Sequence, residues 1–295
     1  MEIGAKLVKE LREITGAGMM DCKKALVENN GDIDLAVRWL QEQGIAKSAK
    51  KSGRIAAEGL TTVKVDGNTA VIVELNAETD FVAKNELFLA LVQNVSNVVL
   101  ANKPANMDEA NALVVDGMSV ADHVTNATAT IGEKISFRRF DLVTKEDDQS
   151  FGTYVHFDGK SGAVVVLSKQ IADLAKNMAM QVASMNPQYV SQKDVPEEIV
   201  AQQVSLQTEI LNNDEALAQK NEKQKEGIIK GRVSKALQEI SLLDQPFFLD
   251  PNMKVADALK QHQASVIKFV RYAVGEGIDK KVDNFAEEVA MMSKA

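Results

Sequence analysis

Side chains able to do covalent or acid–base chemistry are sparse in this sequence. There is one cysteine, Cys22, and there are three histidines, His123, His156 and His262, too far apart in the chain to form a triad or metal site by spacing. Cys22 stands beside Lys23-Lys24, a setting that would suit a nucleophile, but its place between Met20 and Ala25 on one helix fits packing better. Thr15-Gly16-Ala17-Gly18 lacks the spacing and the lysine of a phosphate loop, and neither Gly-x-Ser-x-Gly nor His-Glu-x-x-His occurs. A catalytic role is therefore not expected. The remaining chemistry is recognition, concentrated in Thr79-Asp80-Phe81-Val82, where a large ring stands next to a carboxylate.

That segment is singled out by an internal repeat. A shift of 92 positions places Thr61 on Thr153, Val63 on Val155, Asp66-Gly67 on Asp158-Gly159, Leu75 on Leu167 and Ala83-Lys84-Asn85 on Ala175-Lys176-Asn177. Between matching flanks, Thr79-Asp80-Phe81-Val82 is replaced by Ile171-Ala172-Asp173-Leu174. Two readings fit. Phe81 packs into the core beside Leu75 and Phe88 while Asp80 caps a turn, or Phe81 projects as a wedge with Asp80 alongside, the pairing typical of a binding hot spot. The loss of the aromatic from the second copy favours the wedge.

The elements that position this segment follow from periodicity. Residues 3–44 read as three short helices, with Ile3, Leu7, Leu11 and Ile14 on one face of the first and Met20, Ala25 and Leu26 on the second. Asp32 caps a third that carries Ile33, Ala36, Val37 and Leu40. Lys47–Arg54 reads as a basic, solvated linker. Each repeat unit is then a hairpin, a helix and a closing strand. Thr61–Val65 and Ala70–Leu75 flank the turn Asp66-Gly67-Asn68, Asn85 caps a helix with Leu87, Phe88, Leu91, Val92, Val95, Val98 and Val99 on one face, and Ile135–Val143 closes the unit. The second closing strand, Val266–Val274, matches at a shift of 132, as Phe137 with Phe269 and Arg139 with Arg271 show. The larger shift means about forty extra residues, read as a helical hairpin over 196–240 with its turn at Asn212-Asn213-Asp214. Phe285, Val289 and Met292 describe a C-terminal amphipathic helix.

The expected class is α+β. A three-helix unit and its linker (1–54) precede two related α+β subdomains (55–145 and 146–278), the second carrying the hairpin at about 196–240, and a C-terminal helix module (279–295) ends the chain. The 295 residues suffice for several cores; 45% hydrophobic and 26% charged content is that of a globular protein. A net charge of −8 and 5% aromatics argue against direct nucleic-acid binding. With one cysteine, no apolar run long enough to span a bilayer and no signal-peptide pattern, a cytoplasmic protein without membrane contact is expected.

Leu11 to Leu26, read Leu-Arg-Glu-Ile-Thr-Gly-Ala-Gly-Met-Met-Asp-Cys-Lys-Lys-Ala-Leu, closely resembles the N-terminal signature of the bacterial elongation factor Ts family. Asn76 to Lys84 is similar to that family's central signature, and Gln245-Pro246-Phe247 and Val274-Gly275-Glu276-Gly277-Ile278 are similar to other family segments. The resemblance spans nearly the whole chain and is weakest over Asn102–Thr130 and the helical hairpin. It implies a ubiquitin-associated-type helical domain before the α+β core. It also implies guanine nucleotide exchange on the translation GTPase elongation factor Tu, in which Thr79, Asp80, Phe81 and Val82 disturb the partner's Mg²⁺ site so that GDP leaves. No nucleotide, metal or other cofactor of its own is implied. Met19 and Met20, polarizable side chains beside a glycine turn, are further candidates for partner contact, and the helical hairpin is a candidate surface for homodimer formation. A non-catalytic scaffold that docks through the bundle and hairpin is the other functional class; it would have no need of Thr79–Val82.

Overall fold

The computed structural model describes residues 3–156 and 159–279. Three helices open the chain, α1 (Ala5–Thr15), α2 (Met19–Glu28) and α3 (Ile33–Lys51). Gly16 ends α1 at φ 65°, a conformation that costs glycine little and lets the chain reverse at once. The Asp32 side chain accepts a 2.9 Å hydrogen bond from the Leu35 amide and starts α3. Val8, Leu11, Cys22, Ala25, Leu26 and Ala36 form a small core, whereas Ile14, expected on an inner face, is exposed. The basic stretch is not a linker as expected. α3 runs through it to Lys51, because neighbours take up its charges: Lys47 pairs with Asp21 at 3.0 Å and Lys51 reaches the Thr128 carbonyl at 3.5 Å. Lysines in a last helical turn also suit the helix dipole.

The first α+β unit comprises the hairpin β1 (Glu58–Asp66) and β2 (Thr69–Ala77), α4 (Glu86–Asn102), α5 (Met107–Ala112), the short pair β3 (Val114–Val115) and β4 (Met118–Ser119), α6 (Val120–Ile131) and the closing strand β5 (Ser136–Thr144). The second has the hairpin β6 (Ser150–His156) and β7 (Ser161–Leu167), then α7 (Ala172–Met185). The helical excursion follows as α8 (Glu197–Asn213), α9 (Glu215–Ala218) and α10 (Glu222–Ile240). β8 (Pro246–Phe247), β9 (Asp250–Lys254), α11 (Val255–Gln261) and the closing strand β10 (Val266–Ala273) complete it. The sheets have orders β1-β2-β5 and β10-β7-β6, so in both the second strand of the hairpin is central and antiparallel to its neighbours. The tip of the excursion is longer than the expected turn at 212–214, since Asp214 caps the separate one-turn α9 and Asn221 caps α10. Asp158, half of the second hairpin's turn signal, and the C-terminal segment with Phe285, Val289 and Met292 lie outside the described residues.

Both central strands are apolar on two faces. Val71, Val73 and Leu75 face α4 through Phe88, Leu91, Val92, Val95 and Val99. Ala163, Val165 and Leu167 face α7. The alternate residues Ala70 and Ile72 meet Val164, Val166 and Tyr272 between the sheets. The layers therefore run helix, sheet, sheet, helix, with three apolar interfaces. At the seam stands one fully buried carboxylate, Glu74. Its Oε1 accepts from the Gly275 amide (2.8 Å), Asn76 (3.0 Å) and Arg138 (3.0 Å), and its Oε2 from Arg139 Nε (2.6 Å). Burial pushes its pKa up, but the Gly275 amide, Arg139, Asn76 and Arg138 together hold it below the usual carboxylate range. Gly275 sits at φ +73°, and a Cβ there would come 2.1 Å from the Ala57 carbonyl oxygen, so only glycine brings that amide to Glu74. Among the described residues no helix is long and apolar enough to cross a membrane.

Candidate functional site

β2 is buried up to Ala77, and the chain then surfaces abruptly. Glu78 and Thr79 are half-buried, Asp80 is exposed, and the Phe81 side chain is 82% exposed. A single 3₁₀ turn over Val82–Lys84 follows, closed by the bonds Lys84 N–H to Phe81 O (3.1 Å) and Asn85 N–H to Val82 O (2.9 Å). Val82 and Ala83 are buried in the first core and anchor the turn. Asn85 then caps α4 by accepting from the Leu87 amide at 2.9 Å. Leu87, expected on the inner face of α4, is exposed instead; as the second residue of the helix it lies beyond the edge of the sheet-facing stripe.

The segment is held on its other side by the loop between α6 and β5. The Glu133 carboxylate accepts from the Thr79 amide (3.0 Å) and the Thr79 hydroxyl (2.8 Å). The Glu78 carboxylate accepts from the Lys134 amide and from Arg54 at 3.3 Å. The Lys134 ammonium donates to the carbonyls of Ser52 (2.7 Å) and Arg54 (2.8 Å) just past the end of α3. Asp80 makes no hydrogen bond or ion pair with any described residue. Of the four residues singled out from sequence, Thr79 and Val82 are thus spent on the protein's own fold, and Asp80 and Phe81 alone point to solvent.

The second unit shows what the fold requires at this point. Leu174 and Ala175 are buried as Val82 and Ala83 are, and Asp173, the counterpart of Phe81, is exposed as the ring is. The backbone differs: α7 begins at Ala172, without a preceding 3₁₀ turn. Gly152 on β6 explains this, since a Cβ there would come 1.8 Å from the Ala175 carbonyl oxygen. Its counterpart on β1 is Leu60, a buried member of the first core, so a side chain stands on β1 where β6 has none. The same exposed position carries an acid in one copy and a phenyl ring in the other. Core packing demands neither.

Met19 and Met20 lie in the first turn of α2, directly after Gly18, and are 61% and 75% exposed. A groove separates this end of the bundle from α6, walled by Gly18, Asp21, Lys47, Met118, Asn126 and Ala129. The residues with reactive chemistry do not converge. Cys22 is buried with its thiol 3.6 Å from the Ala17 carbonyl, His123 is bonded to the Val115 carbonyl at 2.8 Å and His156 to the Tyr154 hydroxyl at 2.9 Å. Among the described residues no group of histidine, cysteine and acidic side chains is arranged to hold a metal ion. Sequence reading missed Arg54, Glu78, Glu133 and Lys134. Their only sequence signal is Gly132-Glu133-Lys134 between a helix end and a strand start, and Gly132 does end α6 at φ 91°.

A family model described as Elongation factor TS matches residues 78–276. An elongation factor Ts of Acholeplasma laidlawii (strain PG-8A) is 50% identical over 290 residues, covering 98% of this chain and 98% of that protein.

Proposed function

The chain belongs to the elongation factor Ts family and so acts in translation elongation, and from that premise we propose that it promotes GDP release from elongation factor Tu by inserting Phe81, with Asp80 beside it, next to the GTPase's Mg²⁺ and phosphate site. The observation that carries this reading is the exposed ring at a position where the repeat has exposed Asp173. A phenyl group held in water on a pinned turn gains free energy only when something covers it.

The energetics follow from linkage. GDP leaves such a GTPase slowly because loop amides, a helix N-terminus and Mg²⁺ all hold its phosphates. A factor that binds the nucleotide-free GTPase better than the loaded one weakens nucleotide binding by the same ratio that nucleotide weakens binding of the factor. Accelerating release by ~10⁴ requires about 5.5 kcal/mol of such preference. A well-buried aromatic hot spot supplies about 2–4 kcal/mol, and the remainder is assigned to displacement of Mg²⁺, with the unpaired Asp80 carboxylate at the point of entry. Met19 and Met20 supply a second contact whose apolar, deformable side chains adapt to the partner surface. The mechanism calls on no nucleotide, metal or covalent step of the protein's own.

Release of fluorescent GDP from purified elongation factor Tu, with and without this protein, tests the proposal. A large acceleration that needs Phe81 is the expected result. An unchanged release rate in the presence of a stable complex would instead favour a docking scaffold.

A further inference from the structure

We propose that Glu133 is a positioning residue for Phe81, fixing the direction in which the ring leaves the surface; this rests on the wedge reading of Phe81 given above. An 82% exposed ring has too few contacts to set its own position, so the backbone on either side must set it. On the C-terminal side that is done by burial of Val82 and Ala83. On the N-terminal side the nearest anchor is Thr79, two residues away, and both of its hydrogen-bonding donors end on the Glu133 carboxylate at 3.0 and 2.8 Å. Bonds to an ionised acceptor are stronger than neutral ones. Two from one residue fix its backbone and its side chain together.

Two observations separate this clamp from ordinary loop packing. The first is its direction of reciprocity: Glu133 binds the Thr79 amide while Glu78 binds the Lys134 amide, so residues 78–79 and 133–134 grip each other's backbones. Lys134 and Arg54 extend the grip to the end of α3, joining the helical unit to the base of the wedge. The second is the repeat. The shifts of 92 and 132 place Ile171 opposite Thr79 and Ser265 opposite Glu133. Ile171 has an apolar side chain that packs on the second core, and Ser265 uses its amide on the Ser168 hydroxyl (2.9 Å), so the clamp has no counterpart there. The clamp therefore accompanies the exposed ring and not the shared fold.

The test is a double-mutant cycle on the full chain, read as the maximal rate of GDP release from elongation factor Tu at saturating exchange factor, with melting temperature measured alongside. Glu133→Ala is expected to lower the maximal rate about 10-fold, the scale of a small misplacement, with melting within about 3 °C of the parent. Added to Phe81→Ala, the same change should cost less than about 2-fold, because the residue to be positioned is gone. Glu133→Gln should recover most of the rate, its Oε1 accepting from the Thr79 amide and its NH₂ donating to the Thr79 hydroxyl. Equal losses in both backgrounds, an undiminished rate in E133A, or failure of E133Q to recover would each overturn the assignment. Full exchange by F81A would remove the wedge reading and this assignment with it, whereas a slow F81A beside a fast E133A removes only the assignment. If E133A melts far below the parent, Thr79→Val, which deletes only the 2.8 Å hydroxyl bond, replaces it in the cycle, and equal losses with and without the ring would again overturn the assignment.

Discussion

Arg139 stacks its guanidinium 4.1 Å from the centre of the Tyr272 ring, and so fastens the closing strand of one repeat to the closing strand of the other. The same Arg139 donates to buried Glu74 at 2.6 Å, while the Tyr272 hydroxyl donates to Asp141 at 2.8 Å. Burial and then the Asp141 contacts push the Tyr272 phenol well above its ordinary value, so this proton stays on the donor. The two halves are thus joined by an apolar layer with one charged knot inside it, and that knot has a pH dependence.

Glu74 titrates at a lower pH in the folded chain than in the unfolded one, where a glutamate sits at about 4.3. Its contribution is fully present above that unfolded value and drains away as pH falls through the lowered folded value. Melting temperature should therefore fall in acid below about pH 4, and Glu74→Gln should flatten that fall. Glu74→Ala at neutral pH takes the buried acceptor from the Gly275 amide, Asn76, Arg138 and Arg139, and should cost about 1–3 kcal/mol, since both arginines are partly exposed and keep contacts to Glu276. Urea unfolding at several pH values checks both.

Phe81→Ala should slow stimulated GDP release by about 10- to 100-fold, equivalent to about 1.4–2.7 kcal/mol. Its melting temperature should be nearly unchanged, because the exposed ring contributes little to the core; a core phenylalanine would cost about 3–5 kcal/mol. If the ring acts through Mg²⁺, stripping the metal from the GTPase with EDTA should shrink the defect. Asp80→Ala should give a smaller loss than F81A. Full exchange without the ring would end the wedge reading.

Substituting Met19 and Met20 together by alanine should weaken complex formation about 10-fold without lowering the melting temperature, since two exposed methionines at an interface are worth about 1 kcal/mol or slightly more. This is a cleaner probe than deleting residues 1–54, which would also remove Arg54 from Glu78 and the Ser52 and Arg54 carbonyls from Lys134. Titration calorimetry with the nucleotide-free GTPase decides it; unchanged affinity would mean that the bundle's exposed end is not a docking element.

Replacing residues 200–236 with a short glycine-containing turn should leave GDP release intact. The excursion is absent from the first repeat, and its feet are joined by Gln188 and Tyr189 amides donating to the Ile240 carbonyl at 2.9 and 3.1 Å. A well-folded variant with impaired exchange would show that the protrusion helps to hold the GTPase. Sedimentation of the same variant tests whether it pairs two copies of the chain, as a parent at twice its chain mass beside a variant at once its own would indicate.

Much of this was legible in the sequence because the repeat carried it. Hairpin, helix and closing strand could be read from Thr61, Leu75, Phe137 and their counterparts, and Asn85 and Asp32 are the caps their side chains suggest. The loss of the aromatic in the second copy favoured an exposed Phe81 over a core one, and the ring is exposed. What escaped reading depends on contacts distant along the chain. Nothing near Glu133 announces that it will meet Thr79, and nothing in Lys47–Lys51 says that Asp21 and Thr128 will let a charged stretch stay helical. The sheet-on-sheet seam left a trace that periodicity alone undervalues. Ala70–Leu75 is apolar at five of six positions, the pattern of a strand covered on both faces, and the exception, Glu74, is the residue that ties the halves together.

The joined feet of the helical excursion make it a port. A segment of more than forty residues leaves the second unit after Tyr189 and returns at Ser241, where the two residues meet as a parallel bridge, and Val190 on the second core, Gln192 bonded to Asp244 and the Glu239 carbonyl bonded to Gln245 tie its feet to the body, leaving the outer turns of α8 and α10 to pack on each other. Evolution can lengthen, shorten or replace such an appendage without renegotiating the sheets. An engineer can do the same, grafting a reporter or a second binding module at residues 200–236 and expecting the turn that carries Phe81 on the other repeat to be unaware of it.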